Sequence, residues 1–302
     1  MIDITNCKQI ASDFEGTGKK FAILYQGEPY MVKEPDPVRE KNNQLSYMNN
    51  TFSEHIACNI FKMLDIPVQE TFLATYTRPD GKEEIVVACK DFRKYGEQLY
   101  EADKYAKSLI DSDNITKPDF SEIEKIFEKV SPELTGDIEQ RFWDTFVVDA
   151  LIGNKDRHLG NWGFLSTDRI NLTLAPIYDC ASSLGALIDD NRMKICLNKD
   201  GLMSNMECNH YTNFTLNQKS VTYKDVLMNP PKKLINSIKN IIPKIDIDKI
   251  KDFINEVPGI NEIRKEYIIK SISMRYDVLL KRALNKVIRA EQNQAMAKGF
   301  TR

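Results

Sequence analysis

The sequence predicts an α+β fold with two lobes, a small β-rich N-lobe over residues 1–90 and a larger, mainly helical C-lobe over residues 91–302. Three observations support this prediction. Short runs of alternating apolar residues fill the first 90 residues, whereas apolar residues recur at helical spacing after about residue 96. One polar loop then lies between a strong helix pattern and a hairpin pattern, and such loops often carry function.

The composition is typical of a soluble, globular protein. The chain has 302 residues, of which 42% are apolar and 28% are charged. No run of about 20 apolar residues could cross a membrane, and the N-terminus lacks the basic and apolar regions of a signal peptide. The six cysteines form no CxxC pair. We therefore expect reduced, mostly buried thiols in a protein that is made in the cytoplasm.

Charge is distributed unevenly along the chain. The net charge is −2, but residues 231–302 carry 16 basic and 8 acidic side chains. The favoured interpretation is a solvated basic face on C-terminal helices. The alternative is a docking face for an acidic partner, with nucleic acid the less favoured occupant.

The N-lobe elements follow one another as strand, strand, helix, strand, strand. Residues 21–26 and 29–34 are predicted strands around a turn at Gly27-Glu28. In residues 51–64, apolar side chains recur at helical spacing, and Pro67 follows soon after. Residues 70–77 and 83–89 are two further predicted strands, joined by an Arg-Pro-Asp-Gly turn.

The C-lobe elements are mostly helices. Residues 121–130 and 137–153 are predicted helices, and Gly153 is a plausible stop for the second. Residues 154–161 form the polar loop, and WGFL with residues 170–179 is predicted to form a hairpin. The rest of the chain is predicted to be mostly helical, including one long amphipathic run from residue 261 to about residue 290.

Three oxygen-bearing side chains lie in the polar loop and at the end of the hairpin. Asp156 and Asn161 are five residues apart in the loop NKDRHLGN, and Asp179 follows the apolar strand pattern. Turns often contain Asp and Asn, so a simple turn is the ordinary explanation. However, Trp162 and Phe164 would anchor this loop to a core. Carboxylate and amide oxygens suit Mg²⁺ when phosphates supply its other ligands.

The same residues have the spacing and order that phosphoryl transfer requires. In protein kinases an Asp, four residues and an Asn form the catalytic loop, and a metal-binding Asp follows. Lys33 lies on a predicted strand and Glu54 on the next helix, as in the kinase Lys–Glu pair. A strand lysine or a helix glutamate alone usually faces water. Four such residues in the correct order favour a kinase.

The sequence resembles the HipA-like serine/threonine kinases, and most closely their short stand-alone members. The resemblance rests on the segments PYMVK, TFSEHIACNI, VACKDF, FWDTFVVDALIGNKDRHLGNWGF and LAPIYDC. It implies a two-lobed protein-kinase-like fold and an ATP- and Mg²⁺-dependent enzyme that phosphorylates protein serine or threonine and autophosphorylates. It also implies that Asp156 is the catalytic base and that Asn161 and Asp179 hold Mg²⁺.

The resemblance implies further roles in nucleotide binding. Lys33 would contact the ATP phosphates and pair with Glu54. The hinge between the lobes would span Cys89 to Phe92, including Lys90, with backbone groups that read adenine. His158 would orient the loop through hydrogen bonds or contact the cofactor, and Arg157 would meet a phosphate. Alternatively, both side chains would satisfy buried carbonyl groups. Arg157, His158 and the metal are expected to favour the ionised form of Asp156.

The chain departs from eukaryotic kinases at two places. The nucleotide-covering loop would lie near residues 12–21, where Gly16, Thr17 and Gly18 are the candidates for phosphate contacts. Ser12 and Thr17 are candidate autophosphorylation sites. Cys-Ala-Ser rather than Phe-Gly follows Asp179, so the eukaryotic activation-segment switch is not expected.

Other interpretations stay open at this point. DRHxxN also occurs in lipid kinases, so a lipid or small-molecule kinase is one alternative, and a nucleotide-binding pseudokinase is another. The intact Lys33, Asp156, Asn161 and Asp179 argue against the pseudokinase. Expected partners are Mg-ATP and a protein substrate, with an antitoxin or an acidic partner left open. The sequence also leaves open whether the protein is a toxin or an exported effector.

Overall fold

The computed structural model describes residues 1–11, 19–35, 50–104 and 117–299. Ser12, Gly16, Thr17 and Gly18, which were predicted to contact or receive phosphate, lie outside the described residues.

A six-stranded sheet forms the first part of the molecule. Its strands lie in the order β1-β5-β6-β4-β3-β2, and every neighbouring pair is antiparallel except β1 and β5. The four strands predicted from alternation are confirmed, and two short edge strands precede them. The strands are β1 (Ile2–Asp3), β2 (Lys8–Ile10), β3 (Lys20–Tyr25), β4 (Glu28–Lys33), β5 (Thr71–Thr77) and β6 (Glu83–Lys90).

The turn between β3 and β4 lies one residue earlier than predicted. Its central residues are Gln26 and Gly27, with φ of 52° and 85°, and Glu28 already belongs to β4. Two consecutive left-handed residues match the twist of a two-residue hairpin. This geometry explains why glycine follows Gln26.

The predicted helix α1 (Asn50–Met63) packs on one face of the sheet. The pleat alternates side chains between the two faces, so Val87 and Cys89 join the core around α1 while Val86 and Ala88 join a smaller apolar cluster on the other face. Met31 packs against the α1 side as well. Lys33, two residues on, therefore points to the same side as α1.

The remainder of the chain is mainly helical, as predicted. One hydrophobic core contains residues of both α1 and the helix Thr135–Ile152. No break in this core coincides with the predicted lobe boundary at residue 90, and that boundary stays a prediction. No helix among the described residues is long and apolar enough to cross a membrane. The helices are α2 (Phe120–Val130), α3 (Thr135–Ile152), α4 (Asp190–Leu197), α5 (Asp200–Glu207), α6 (Tyr223–Met228), α7 (Lys232–Ile241), α8 (Ile247–Glu256), α9 (Glu262–Arg275) and α10 (Lys281–Gly299).

Two small sheets interrupt the helices, where the sequence predicted one hairpin. β7 (Gln98–Glu101) pairs with β8 (Gly163–Ser166), which pairs in turn with β9 (Thr173–Leu174). Thus only two residues of the predicted strand 170–179 lie in a sheet. A second hairpin, β10 (Tyr211–Leu216) and β11 (Lys219–Thr222), lies within the part that was predicted to be mostly helical. Its turn residues Asn217 and Gln218 both have positive φ.

The long amphipathic run that begins at residue 261 is helical, but it is not one regular α-helix. A π-helical turn over Tyr276–Leu280 joins α9 to α10. Leu279 and Leu280 of this turn are buried in the main core. The wider turn lets these leucines reach the core without ending the helix.

Candidate active site

Lys33 and Glu54 form an ion pair between the sheet and α1. Lys33 Nζ lies 2.8 Å from Glu54 Oε2, and the Glu54 side chain has no exposed surface. Lys33 is the last residue of β4, opposite Val87 of β6, and Glu54 lies in the second turn of α1. The direct pair that the sequence predicted is therefore present.

The other Glu54 oxygen binds the segment that follows Asp179. Glu54 Oε1 accepts the backbone N–H of Cys180 at 2.9 Å and the thiol of Cys58 at 3.7 Å. A buried carboxylate is tolerated only when hydrogen bonds and a counter-ion replace its hydration. Glu54 thus joins three parts of the chain: β4, α1 and the backbone after Asp179.

Asp179 contacts the same lysine. Its Oδ1 lies 3.1 Å from Lys33 Nζ, and about half of its side chain (47%) is exposed. Lys33 holds the pKa of this carboxyl below its ordinary value. Burial acts to lower the pKa of Lys33, but Asp179 and Glu54 outweigh burial and raise it well above its ordinary value. The lysine is therefore a fixed positive charge.

The backbone of Asp179 is strained. Its φ is 55°, in the left-handed region that residues other than glycine adopt rarely, with Asp and Asn the best tolerated. Strain of this kind persists where the surrounding structure imposes it, often at functional sites. Here the turn directs the carboxylate toward Lys33 while the next N–H reaches Glu54.

The polar loop begins where α3 ends. Gly153 caps this helix with φ of 66°, and the following Asn154 is buried. Asn154 donates to Asp149 Oδ1 at 2.9 Å and accepts the backbone N–H of Asp156 at 3.0 Å. The helix end therefore determines the direction of the chain that carries Asp156.

Arg157 is a buried structural residue of this loop. Its guanidinium donates to Asp149 Oδ2 at 3.0 Å, to the Tyr178 carbonyl at 2.7 Å and to Cys180 Sγ at 3.2 Å. Of the two alternatives for Arg157, the contact with a buried carbonyl is therefore present. Asp149 was not among the predicted functional residues, although an acid inside the apolar run VVDALIG is a visible signal of a buried partner.

The Asp156 carboxylate is half-exposed (56%), and its Oδ1 lies 3.9 Å from His158 Nε2. Partial burial raises its pKa above the ordinary value; Asp179 adds to this effect, while His158 and Arg157 oppose it. His158 and Arg157 favour the ionised form, as the sequence predicted, but burial, which the sequence did not reveal, has the larger effect on this pKa. Arg157 is directed away, toward Asp149, and contributes only at a distance.

His158 and Asn161 shape the rest of the loop. His158 Nδ1 accepts the backbone N–H of Gly160 at 3.0 Å and so caps the short 3₁₀ turn Leu159–Asn161. Asn161 Nδ2 donates to the Asp156 carbonyl at 2.8 Å. Within the described part of the chain, Asn161 Oδ1 has no hydrogen-bond partner. The donor set of Asp179 and Asn161, a carboxylate and a free amide oxygen, fits a hard divalent cation.

The predicted hinge leaves the sheet at the end of β6. Cys89 is fully buried and lies between Met31 of β4 and Thr71 of β5, and burial raises the pKa of its thiol. The Lys90 carbonyl accepts the Gln69 side chain at 2.9 Å. The Phe92 ring lies 5.8 Å from that of Tyr178. Among the described residues, no hydrogen bond occupies the backbone N–H of Phe92.

Comparisons with known proteins identify the family and the fold of this chain. The HipA-like C-terminal domain matches residues 12–245. The serine/threonine-protein kinase CtkA of Helicobacter pylori is 33% identical over 299 residues, which cover 95% of this chain and 89% of that protein. The crystal structure of the H. pylori proinflammatory kinase CtkA superposes with a TM-score of 0.86 at 31% identity, covering 96% of this chain and 98% of that one.

A more distant match shows the shared fold alone. It is a chain of the Shewanella oneidensis toxin–antitoxin complex of HipA, HipB and operator DNA, with a TM-score of 0.50 and 15% identity. It covers 91% of this chain and 66% of that chain. Together the two structural matches confirm the two-lobed, kinase-like α+β fold that the sequence predicted.

Proposed function

This chain belongs to the HipA-like C-terminal domain family and is a serine/threonine protein kinase, and we propose that it uses Mg-ATP through the residues described above. The observation that carries the proposal is the pair of contacts from Lys33 to Glu54 and Asp179. These contacts join a strand, a helix and the segment after the polar loop at one charged centre.

Lys33 is the proposed phosphate-binding cation. Its pKa is raised by Asp179 and Glu54 against the effect of burial, so it carries a proton at any physiological pH. Glu54 is fully buried and accepts a backbone N–H with its second oxygen, so its role is to position Lys33. ATP phosphates would then take the place of Asp179 as one partner of the lysine.

Asn161 and Asp179 are the proposed ligands of Mg²⁺. When bound, the ion would neutralise charge on the phosphates during transfer. Asn161 Nδ2 donates a hydrogen bond to the Asp156 carbonyl, and this bond orients the amide oxygen of Asn161. The proposed metal ligand is thereby linked to the backbone of Asp156, the proposed base. Asp179 supplies the carboxylate, half-exposed and ionised.

Asp156 is the proposed catalytic base. Its half-exposed carboxylate would accept a hydrogen bond from the serine or threonine hydroxyl of the substrate and take its proton late in the transfer. The raised pKa of Asp156 makes it a slightly better proton acceptor than an ordinary aspartate. Arg157 and Asn154 hold the loop, and therefore this carboxylate, in place.

The remaining nucleotide contacts are proposed for the hinge and the first loop. The backbone of Lys90 and Phe92 would read adenine, with the free N–H of Phe92 as the donor, and Cys89 would form the buried end of this segment. His158 Nδ1 is used by Gly160, so only its Nε2 could contact the cofactor. Gly16, Thr17 and Gly18 stay the candidates for phosphate contacts, and Ser12 or Thr17 for autophosphorylation.

The Asp156→Asn variant tests this proposal. We expect it to bind Mg-ATP nearly as the wild type does, because Asp156 is not a proposed metal ligand. We expect phosphate transfer, to itself or to any protein, to fall by about 10²–10⁴-fold, the usual contribution of a positioned base. Calorimetry measures binding, and γ-labelled ATP with mapping of the phosphorylated sites measures transfer.

The Asp248→Asn variant is the matched control, because Asp248 is a 90% exposed side chain on α8. It should keep full activity. If Asp156→Asn loses nucleotide affinity, Asp156 is a metal ligand and the roles are misassigned. If it keeps full activity, the loop is only a well-anchored turn.

A further inference from the structure

Three potential metal ligands lie behind the Lys33–Glu54 pair. One carboxylate oxygen of Glu54 and the sulfur atoms of Cys58 and Cys180 all lie within 4.8 Å of one another. Their exposed fractions are 0%, 2% and 0%. This is a buried cluster of two thiols and one carboxylate, distinct from the oxygen ligands proposed for Mg²⁺.

The cluster follows from helix spacing and one backbone contact. Cys58 comes four residues after Glu54 on α1, so both side chains lie on the same face of the helix. Cys180 follows the strained Asp179, and its N–H binds Glu54 Oε1 at 2.9 Å. The contact between α1 and this segment therefore brings the two sulfurs together.

Both thiols are free, and each contacts a charged group. The Cys58 thiol donates to Glu54 Oε1, and Cys180 Sγ accepts from Arg157 Nη2 at 3.2 Å. Two cations, Lys33 and Arg157, thus surround the cluster. Their positive charge offsets the negative charge that two thiolates and a carboxylate would bring around a divalent ion.

The donor set selects a thiophilic cation. Zn²⁺ binds Cys sulfur at about 2.3 Å and carboxylate oxygen at about 2.0–2.2 Å in tetrahedral geometry. Tetrahedral bonds of that length place the ligand atoms roughly 3.3–3.8 Å apart. Since the three atoms already lie within 4.8 Å of one another, side-chain shifts of about 1 Å close the site.

We propose that Glu54, Cys58 and Cys180 form an inhibitory site for Zn²⁺ or another thiophilic divalent cation. Binding releases the two thiol protons to solvent, and the cation takes a Glu54 oxygen. A water would occupy the fourth position, as it does in open zinc sites. Mg²⁺ prefers oxygen ligands and would not compete here.

The inhibitory effect follows from competition for Glu54. Lys33 uses Oε2 of this carboxylate at 2.8 Å, and a cation beside the same carboxylate would repel the ammonium group. Lys33 would then lose the partner that positions it for phosphate. This consequence rests on the proposed function, whereas cation binding itself does not.

Cd²⁺ titration tests binding without ATP. Thiolate-to-metal charge transfer gives Cd²⁺ sites an ultraviolet absorption that oxygen ligands do not produce. We expect one such site in the wild type and more than about tenfold weaker binding in both Cys58→Ser and Cys180→Ser, since losing even a supporting contact costs about 10–100-fold. Cys196→Ser is the matched control, because Cys196 is a buried thiol outside the cluster.

Kinase assays at fixed Mg-ATP test inhibition, with each variant compared with its own rate without Zn²⁺. Zn²⁺ should inhibit the wild type and Cys196→Ser equally, and Cys58→Ser should need more than about tenfold more Zn²⁺ for the same inhibition.

Absence of the Cd²⁺ absorption in the wild type, or absorption in both cluster variants equal to that of the wild type, overturns the site. Equal Zn²⁺ inhibition of the wild type and Cys58→Ser overturns the inhibitory role. A catalytically dead chain that binds Cd²⁺ as expected would instead point to failure of the proposed function alone.

Discussion

At the residue scale, His55 shows how the position of a side chain within α1 decides its ionisation. It directly follows Glu54, but its ring faces Thr71, with Nδ1 3.0 Å from the hydroxyl, and lies 5.9 Å from the Phe253 ring. These neighbours carry no charge that would stabilise imidazolium. Burial therefore lowers the pKa of His55 to about 4.

This shift predicts a loss of stability in mild acid. The folded-state pKa lies below the unfolded value of about 6.5, so the unfolded chain takes up a proton first. The contribution to stability is complete above pH 6.5 and is lost as the pH falls toward about 4. Between pH 7 and pH 5 we expect about 2 kcal/mol of the decrease in unfolding free energy to come from His55.

Urea denaturation of the wild type and His55→Asn at both pH values checks this prediction. Asparagine keeps a polar group near Thr71 but does not titrate. The variant should therefore lack about 2 kcal/mol of the change with pH, whatever its stability at pH 7. An identical change with pH in both proteins would contradict the assignment.

At the element scale, the end of α3 is the structural basis of the polar loop. Gly153 turns the chain with φ of 66°, and Arg275 of α9 packs directly against it. Arg275 is fully buried, donates to the Leu151 carbonyl at 2.6 Å and forms an ion pair with the buried Glu207. The start of the polar loop is therefore held in place by α5 and α9 as well, through Glu207 and Arg275.

Gly153→Ala should destabilise the protein by about 2 kcal/mol or more. A Cβ at this position would lie 2.9 Å from Arg275 Nη1 and 3.0 Å from His210 Cδ2, and left-handed backbone costs a residue with a Cβ about 1–2 kcal/mol. The hydrogen bonds of Arg275 prevent it from moving away cheaply. Urea denaturation of the variant measures the change in unfolding free energy.

Gly136→Ala provides the matched control within the same helix. An added Cβ there would meet nothing within 4 Å, and Gly136 has no positive φ. Because alanine favours helix over glycine by up to about 1 kcal/mol, this variant should be neutral or more stable. Equal destabilisation by both substitutions would show that the contact with Arg275 is not the cause.

At the scale of the whole molecule, Lys33, Glu54 and Asp179 join the sheet to the segment after the polar loop. A nucleotide bound with a metal would contact both sides of this junction. It should therefore stabilise the folded state by RT ln(1 + [L]/Kd), about 2.7 kcal/mol at a ligand concentration of 100 Kd.

Asp179→Asn should remain folded, lose phosphate transfer and lose most of the thermal stabilisation by Mg-ATP. Asparagine tolerates the left-handed backbone at this position, so the substitution removes charge without adding strain. Loss of the carboxylate ligand should raise the barrier by several kcal/mol. Thermal melts with and without Mg-ATP, alongside a transfer assay, check both effects, and near-normal turnover in Mg²⁺ would contradict the assignment.

The sequence alone determined the features that depend on local spacing. Asp156 and Asn161 lie in one loop because α3 ends at Gly153. The order of β3, β4, α1, β5 and β6 follows from apolar periodicity. The Lys33–Glu54 pair could be predicted because Lys33 lies on a predicted strand and Glu54 on the predicted helix that follows it, as in the kinase Lys–Glu pair. The similarity to HipA-like kinases was visible in the same segments.

Only the tertiary structure decided the contacts between distant parts of the chain. β7 pairs with β8 more than sixty residues away, so no local pattern shows this pairing. The cluster of Glu54, Cys58 and Cys180 likewise exists only because α1 packs against the turn at Asp179. Burial likewise raises the pKa of Asp156, an effect that no local pattern shows because desolvation depends on packing in three dimensions.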